Sequence, residues 1–232
     1  MQFDILTLFP DFFSSPLKES IVAKAIETGK ISVETHNLRD FSDLPHKQVD
    51  DTPYGGGAGM VLKPDVLAQA VKKIKKTNSL VILTDPTGVK FDQALANKLS
   101  KQENLLLIAG RYEGVDQRFK DKYVDLEISI GDYVLNGGEV ACLVILETIS
   151  RLVPGVIGAQ ESLDFESFSK QEIEGKKQTL LEYPQYTRPA EFEGENVPDE
   201  LRSGNHAEIN KWRLGKALEK TKKLRPDLLT RN

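Results

Sequence analysis

Hydrophobic and polar positions follow two different periods along the first 158 residues of this chain. Runs that are continuously apolar, or that alternate from residue to residue, predict strands at 3–9, 31–35, 80–84, 105–109 and 124–130. Runs with apolar residues at helical spacing predict helices at 16–28, 63–76, 91–101 and 140–152. Because strands alternate with helices, we expect an α/β fold with a mainly parallel sheet.

Three of the predicted strands end in loops rich in glycine or proline. These loops are residues 85–88, 110–114 and 131–139. Glycine allows a ligand to approach bare backbone, and an α/β sheet usually carries its binding site where strands end. We therefore expect a ligand site where the three loops converge. The alternative interpretation is that the glycines only make tight turns.

Residues 40–59 show no hydrophobic period and contain four glycines, Gly55, Gly56, Gly57 and Gly59. A structureless stretch of this length in a compact domain is usually functional or disordered, and we favour a functional loop. It is not a typical nucleotide-triphosphate cradle, because no strand leads directly into the glycines and no Gly-Lys-Ser/Thr follows.

The pattern changes after residue 158. Residues 159–180 are polar and mixed in charge, which predicts a linker. Residues 181–232 predict a small helical domain, in which the spacing of apolar residues is roughly helical from Asn205 and Trp212 lies in the core. We accordingly divide the chain into a first domain at 1–158, a linker at 159–180 and a second domain at 181–232.

Composition narrows the possible functions. The net charge of −4 gives no global basic signature, so any contact with nucleic acid must come from a local patch. The single cysteine, Cys142, lies in an apolar helix, where a buried structural thiol is expected. The three histidines are far apart and lack metal-ligand spacing, which argues against a histidine-ligated metal. No apolar run could span a membrane and residues 1–10 lack a secretion-signal pattern, so we expect no membrane partner and a cytoplasmic location.

Two common enzyme signatures are absent from the sequence. No Gly-x-Gly-x-x-Gly follows a strand, which argues against a dinucleotide oxidoreductase, and no Gly-x-Ser-x-Gly elbow is present. The features that remain are glycine loops and a few carboxylates. They suit a ligand that is bound through the edge of a heteroaromatic ring rather than through phosphates.

Five segments, in order along the chain, resemble the bacterial tRNA (guanine-37-N1)-methyltransferases. They are Pro-Tyr-Gly-Gly-Gly-Ala-Gly-Met at 53–60, Gly-Arg-Tyr-Glu-Gly-Val-Asp at 110–116, Ser-Ile-Gly-Asp-Tyr-Val-Leu-Asn-Gly-Gly-Glu at 129–139, Tyr-Thr-Arg-Pro at 186–189, and Ser-Gly-Asn-His at 203–206 with Lys-Trp-Arg at 211–213. The resemblance covers essentially the whole chain. It implies an α/β fold with a deep trefoil knot in the first domain, a feature that periodicity alone does not indicate.

The resemblance also implies that S-adenosylmethionine, the methyl donor, binds across the three glycine-containing loops. The implied cofactor-binding residues are Leu83, Thr84, Pro86, Gly110, Tyr112, Glu113, Gly114, Ile130, Gly131, Asp132, Tyr133, Val134, Leu135, Gly137 and Gly138. Asp85-Pro86-Thr87-Gly88 replaces the Ser-Pro-Gln-Gly expected in the family, which affects one of these contacts.

The implied reaction needs two groups besides the cofactor. Guanine N1 carries a proton at neutral pH, so methylation requires a base for that proton and a donor for the negative charge that spreads to O6. The resemblance assigns these roles to Glu166 and Arg151. The family has aspartate in place of Glu166, and Asp164 is the alternative base. Without the resemblance, the two acids would be interpreted as polar residues that keep the linker soluble. Arg151 would be interpreted as a basic residue that interacts favourably with the dipole at the C-terminus of a helix.

Partners follow from the same resemblance. The expected substrate is the tRNA anticodon stem-loop, contacted by Arg188, His206, Lys211 and Arg213. The family acts as a homodimer with shared active sites, so a monomer should be inactive.

Mg²⁺ is a possible cofactor without a dedicated ligand cluster. Residues 168–180 are several residues longer than usual, within the segment expected to order over the target base.

Two rival functions remain open from the sequence. One is an RNA-binding module that senses the cofactor and holds tRNA without modifying it; the substitution of glutamate for the family aspartate favours it. The other is a related knotted methyltransferase that acts on ribose or ribosomal RNA, which would lack the acid in the linker and the Gly-Asn-His segment.

Overall fold

A computed structural model of the chain describes residues 1–158, 165–173 and 175–230. The chain forms two compact units, Met1–Gly158 and Ala159–Asn232. The alternative base predicted from sequence, Asp164, lies outside the described residues.

The first unit is built on a five-stranded parallel sheet. The unit contains the strands β1 (Gln2–Thr7), β2 (Ser32–Asn37), β3 (Asp50–Asp51), β4 (Val61–Leu62), β5 (Ser79–Lys90), β6 (Asn104–Ala109) and β7 (Leu126–Ser129). The sheet has the order β2-β1-β6-β5-β7, and β3 pairs with β4 in a separate antiparallel ribbon. All neighbours in the five-stranded sheet run parallel, which confirms the predicted α/β class with a mainly parallel sheet.

Helices cover both faces of this sheet. They are α1 (Ser20–Glu27), α2 (Pro64–Ile74), α3 (Gln93–Leu99), α4 (Gln117–Tyr123) and α5 (Glu139–Ser150). Side chains of α1, α3 and α5 pack against Phe3, Leu105 and Leu107 on one face. Side chains of α2 and α4 pack with Leu6 and Leu106 on the other. Alternate residues of β1 and β6 thus enter opposite cores, because successive side chains of a strand point to opposite faces of the sheet and both faces are buried here.

The strand predicted at 80–84 continues beyond its expected end. β5 runs to Lys90, with a shift in its register against β7 between Thr84 and Val89. Residues 85–88 therefore bulge out of the ladder instead of ending the strand. A Cβ atom at Gly88 would overlap the backbone of Glu127, so the bulge packs directly on β7.

The segment at 40–59 is more ordered than its sequence predicts. Short 3₁₀ helices occupy Leu38–Phe41 and Pro45–Lys47, and β3 pairs with β4. The end of the segment is bound to the loop that follows β6, since Glu113 donates a backbone hydrogen bond to Met60 (2.9 Å) and Leu62 donates one to Gly114 (3.0 Å).

The second unit contains a β-hairpin and helices. Its elements are β8 (Ser169–Ile173), β9 (Lys176–Leu180), β10 (Glu191–Phe192), β11 (Glu195–Asn196), α6 (Asp199–Arg202), α7 (His206–Leu224) and α8 (Asp227–Thr230). Sequence analysis assigned no element to 159–180, yet β8 and β9 pair there as antiparallel strands. Asn205 caps α7, because its side-chain oxygen accepts a hydrogen bond from Ala207 N (3.1 Å).

Trp212 is half-buried and contacts the Tyr186 ring edge to face, with 6.1 Å between ring centroids. Within the described residues, every helix is too short or too polar to cross a lipid bilayer.

Candidate active site

One pocket of about 390 Å³ lies at the β5 bulge, where β6 and β7 end and α5 begins. The loops that line it are the three predicted from the sequence to converge on a ligand. Of the cofactor-binding residues implied by the resemblance, those that line the pocket are Thr84, Pro86, Gly110, Tyr112, Glu113, Gly114, Ile130, Gly131, Tyr133, Val134, Leu135, Gly137 and Gly138. A pocket of this size is in the usual range for small-molecule sites, roughly 300–1,000 Å³.

Two of the implied residues do not line the pocket. Leu83 is completely buried in the core on one face of the sheet. Asp132 is exposed on the loop after β7, next to residues that do line it.

Glycines hold the three loops against one another. Gly138 N donates a hydrogen bond to Gly110 O (2.8 Å), and the Gly110 amide donates to Thr84 Oγ1 (3.3 Å). A Cβ atom on Gly138 would overlap Thr84 Oγ1 and Gly110 N, and one on Gly110 would lie 2.7 Å from Thr84 O. These two glycines are therefore required for close packing of the loops.

A buried ion pair joins the loop after β6 to the start of α5. Glu139 is only 1% exposed and receives hydrogen bonds from Arg111 Nε (3.0 Å to Oε2) and Thr7 Oγ1 (2.8 Å). Arg111 also donates through Nη1 to Asn136 O (3.1 Å), and its guanidinium lies 4.5 Å from the centroid of the Phe9 ring. Arg111 thus fixes both loops that it touches. It also lines a neighbouring cavity of about 330 Å³.

A second group of charges lies at the β5 bulge, where Asp85 and Lys120 line the pocket. Lys120 Nζ contacts a carboxylate oxygen of Asp85 (2.6 Å) and of Glu127 (2.9 Å). Burial alone would lower the pKa of Lys120, but the hydrogen bonds to both carboxylates outweigh it, so the pKa is raised. Burial likewise acts to raise the pKa of Asp85, and the hydrogen bonds from Lys120 and Thr87 reverse this, so the pKa is lowered. Asp85 and Lys120 are therefore both charged at neutral pH.

The two described catalytic candidates belong to different units. Arg151, in the first unit, is half-buried and caps the C-terminus of α5, where its amide donates to Glu147 O (3.3 Å). Glu166, in the second unit, is half-buried, and its carbonyl accepts a hydrogen bond from Ser169 N (3.0 Å).

The four candidate RNA-binding residues lie in the second unit, with different exposure. Arg188, His206 and Lys211 are exposed, as a surface for phosphate contact requires. Arg213 instead turns inward. Its guanidinium lies 4.9 Å from the Tyr183 ring centroid, and its Nε is buried without a hydrogen-bond acceptor among the described residues.

Two other sets of potentially reactive or metal-binding side chains have structural explanations. Cys142 is fully buried on α5, and burial raises the pKa of its thiol, so it is not a nucleophile. Asp4, Glu34 and His36 place ligand atoms within 4.8 Å of one another. His36 Nε2 lies 2.9 Å from Asp4, however, and the Lys76 ammonium lies 3.9 Å from its other oxygen. This buried carboxylate therefore already has partners.

Comparison with known proteins gives a consistent result. The profile of the tRNA (Guanine-1)-methyltransferase family matches residues 1–231. The chain is 53% identical over 231 residues to a tRNA (guanine-N(1)-)-methyltransferase of Geobacter sp. (strain M21), covering 99% of this chain and 90% of that protein. Proteins of the same name from Dictyoglomus turgidum (strain DSM 6724 / Z-1310) and Clostridium perfringens (strain SM101 / Type A) are each 51% identical over 229 residues. These matches cover 99% and 98% of this chain and 90% and 93% of the relatives. The resemblance inferred from the five motifs is confirmed.

Proposed function

The chain belongs to the tRNA (guanine-1)-methyltransferase family, and on that premise we propose that it transfers a methyl group from S-adenosylmethionine to N1 of guanosine 37, 3′ to the anticodon of tRNA. The observation that carries the proposal is the convergence of the family's loop motifs on one pocket at the β5 bulge and the ends of β6 and β7. The proposed location is the cytoplasm.

The residues of this pocket fit S-adenosylmethionine. Ile130, Val134 and Leu135 give apolar walls for an adenine ring, and the glycine loops bring backbone donors and acceptors to the ring edge. When bound, this cofactor supplies an electrophilic methyl group on a sulfonium. In our proposal the Arg111–Glu139 pair holds the loops after β6 and β7 in the arrangement that receives it.

Charge development on guanine defines the roles of the other residues. We assign Glu166 as the base that accepts the N1 proton as the bond from N1 to the methyl carbon forms and the carbon–sulfur bond breaks. We assign Arg151 as the cation that stabilises the negative charge on O6. Asp164 remains the alternative base. A requirement for Mg²⁺ stays part of the proposal without an assigned ligand cluster.

The assembly is also a proposal. We infer a homodimer in which each active site uses both subunits, and a trefoil knot formed by the cofactor-binding loops of the first domain. Exposed apolar side chains on α5 support the dimer, since Val140 is 44% and Val144 is 38% exposed on a helix whose other face is core. In this arrangement 159–180 connects a first domain at 1–158 to a tRNA-binding domain at 181–232 that contacts the anticodon stem-loop through Arg188, His206, Lys211 and Arg213.

Transfer of a labelled methyl group tests the proposal. We expect the wild type to label a tRNA transcript with guanosine at position 37 and not one with adenosine there. Glu166→Ala should lower kcat by at least about 100-fold if Glu166 is the base, while Asp164→Ala stays active. Loss of activity in Asp164→Ala alone would move the role to Asp164. Binding of both transcripts without labelling of either would favour the non-catalytic RNA-binding module.

A further inference from the structure

The charged wall of the pocket at the β5 bulge differs from the one that the family motif predicts. Asp85-Pro86-Thr87-Gly88 replaces Ser-Pro-Gln-Gly there, so a carboxylate stands where a serine is expected. Asp85 and its ion-pair partner Lys120 both line the pocket, and their side chains are 12% and 11% exposed. A serine cannot form this ion pair, so the wall has a chemistry of its own.

Asp85 can accept one more hydrogen bond. An ionised carboxylate offers about four lone-pair positions. Oδ1 accepts from Thr87 N (2.9 Å) and Thr87 Oγ1 (2.7 Å), and Oδ2 accepts from Lys120 Nζ (2.6 Å). Among the residues that the structure describes, no other group donates to this carboxylate. The remaining position therefore belongs to Oδ2, the oxygen that contacts Lys120.

Lys120 can likewise donate one more hydrogen bond. Its ammonium carries three N–H groups, of which two are used by Asp85 Oδ2 and Glu127 Oε2 (2.9 Å). The described part of the chain supplies no third acceptor. Hydrogen bonds to two carboxylates are charge-assisted and hold the ammonium in place. One acceptor position and one donor thus lie side by side in the pocket wall, on atoms that are 2.6 Å apart.

A hydroxyl group matches this arrangement. It can donate to Asp85 and accept from Lys120 at the same time, because a hydroxyl is both a donor and an acceptor. The other polar groups of S-adenosylmethionine fit less well. Its α-ammonium only donates and is repelled by Lys120, its carboxylate only accepts and is repelled by Asp85, and the exocyclic amine of adenine only donates. The ribose hydroxyls are the groups that combine both capacities.

We propose that Asp85 and Lys120 together bind one ribose hydroxyl of S-adenosylmethionine. A carboxylate that accepts from a ribose hydroxyl is also found in Rossmann dinucleotide sites, whose glycine motif this chain lacks. The proposal rests on the proposed methyl donor. It makes Asp85 and Lys120 residues that determine specificity for a ribonucleoside, in addition to their contribution to stability.

Calorimetry with S-adenosylhomocysteine, the reaction product, tests the proposal on the full chain and needs no turnover. Its affinity is compared with those of its 2′-deoxy and 3′-deoxy analogues. We expect one of the two to bind the wild type about 10-fold more weakly, as the loss of a charge-assisted hydrogen bond predicts. An analogue with purine in place of adenine, which lacks the exocyclic amine, and an analogue without the α-ammonium report on the other two donors of the ligand.

Asp85→Asn removes the charged acceptor with little change in size. It should bind S-adenosylhomocysteine about 10-fold more weakly, and removal of the hydroxyl should then weaken binding no further. Lys120→Met removes the donor and should also abolish the sensitivity to that hydroxyl. Asp121→Asn, at an exposed residue of α4, is the matched control that should keep the wild-type affinity and sensitivity.

Three outcomes overturn the proposal. One is wild-type binding that is indifferent to the loss of either hydroxyl. Another is an Asp85→Asn variant that binds every ligand more weakly yet keeps its sensitivity to the missing hydroxyl, which is the result for a purely structural role. The third is an Asp85→Asn variant that loses its sensitivity to the exocyclic amine or to the α-ammonium instead, since Asp85 would then contact that group.

Methyl transfer to guanosine 37, measured in parallel, separates this proposal from the proposed function. Transfer by a wild type that is indifferent to both deoxy analogues overturns only the ribose contact. Sensitivity to one deoxy analogue without transfer supports the ribose contact and overturns only the methyltransferase.

Discussion

Arg111 and Glu139 show how single residues organise the pocket. They lie 28 positions apart in sequence, yet Arg111 Nη2 and Glu139 Oε2 are 2.9 Å apart and Glu139 is almost inaccessible to solvent. The pair connects the loop after β6 to the first turn of α5, and a carboxylate at a helix N-terminus is also favoured by the helix dipole. The pair therefore fixes two of the loops that line the pocket.

Glu139→Gln tests this contribution. It leaves the Arg111 charge without its carboxylate, so we expect the free energy of unfolding of the first unit to fall by about 3 kcal/mol. We also expect the KM for S-adenosylmethionine to rise about 10-fold, because both loops lose a common anchor. Denaturant unfolding and steady-state kinetics measure the two effects. Glu27→Gln, on the exposed side of α1, should change neither, and equal behaviour of the two variants would refute the role.

The Asp85–Lys120 pair predicts a dependence of stability on pH. The pKa of Asp85 in the folded protein lies below its ordinary value of 3.8, so its contribution is present above that value and is lost as pH falls through the lower folded pKa. Asp85→Asn should therefore reduce the loss of stability below about pH 4. Urea unfolding between pH 2 and pH 7 measures this, with Asp121→Asn as the control. If the unfolding free energy of Asp85→Asn falls below pH 4 as steeply as that of the wild type, the ionisation of Asp85 is not linked to folding.

At the residue scale the sequence identified the pocket loops but not their anchors. The glycines at 110, 137 and 138 can be identified from the local sequence, because they lie in glycine-rich loops that follow apolar strand-like runs. Glu139 and Lys120 have no such pattern, since their partners lie on distant elements and only the sheet order brings them together. Leu83 was included from the resemblance, although its side chain enters the core.

At the scale of elements, the close approach of three loops determines the shape of the pocket. Gly138 has an ordinary helical conformation, so a side chain there is excluded by its neighbours and not by backbone strain. A methyl group at this position must displace Thr84 or the backbone of Gly110. The loops would then separate.

Gly138→Ala should therefore destabilise the first unit by about 1–3 kcal/mol. It should also weaken binding of S-adenosylhomocysteine, the reaction product, at least about 10-fold by calorimetry. Gly158→Ala, where an added Cβ meets nothing within 4 Å, is the matched control in the same unit. Wild-type affinity in Gly138→Ala would mean that the loop contact does not shape the cofactor site.

Two elements could not be predicted from sequence periods. The hairpin β8–β9 is polar on both faces except near its ends, so its strands lack the alternation that indicates a half-buried strand. The continuation of β5 was hidden because residues 85–88 contain Pro86 and Gly88, which usually mark the end of a strand. In the structure they form a bulge, and β5 resumes pairing with β7 at Val89.

For the whole molecule, hydrophobic periods predicted the fold class but not the order of the strands. Alternation of strands and helices requires a layered α/β unit. The placement of β6 and β5 between β1 and β7 depends on long-range packing that no local pattern contains. The family resemblance added the cofactor, the knot and the dimer, which periodicity does not indicate.

The proposed dimer predicts a linked loss of assembly and activity. Val140→Asp together with Val144→Asp places two charges on the exposed apolar face of α5, so we expect a monomer that retains its fold and loses methyl transfer. Sedimentation velocity and circular dichroism measure assembly and folding. Leu224→Asp, at an exposed apolar residue of α7, is the control that should remain dimeric and active. A fully active monomer would contradict shared active sites.

The identity of the methylated nucleoside tests the central claim most directly. A tRNA transcript with guanosine at position 37 is incubated with the protein and S-adenosylmethionine, digested to nucleosides and fragments, and analysed by mass spectrometry. We predict 1-methylguanosine, confined to the fragment that contains position 37. A 2′-O-methylated nucleoside, methylation at another position or no methylation at all would contradict the proposed function.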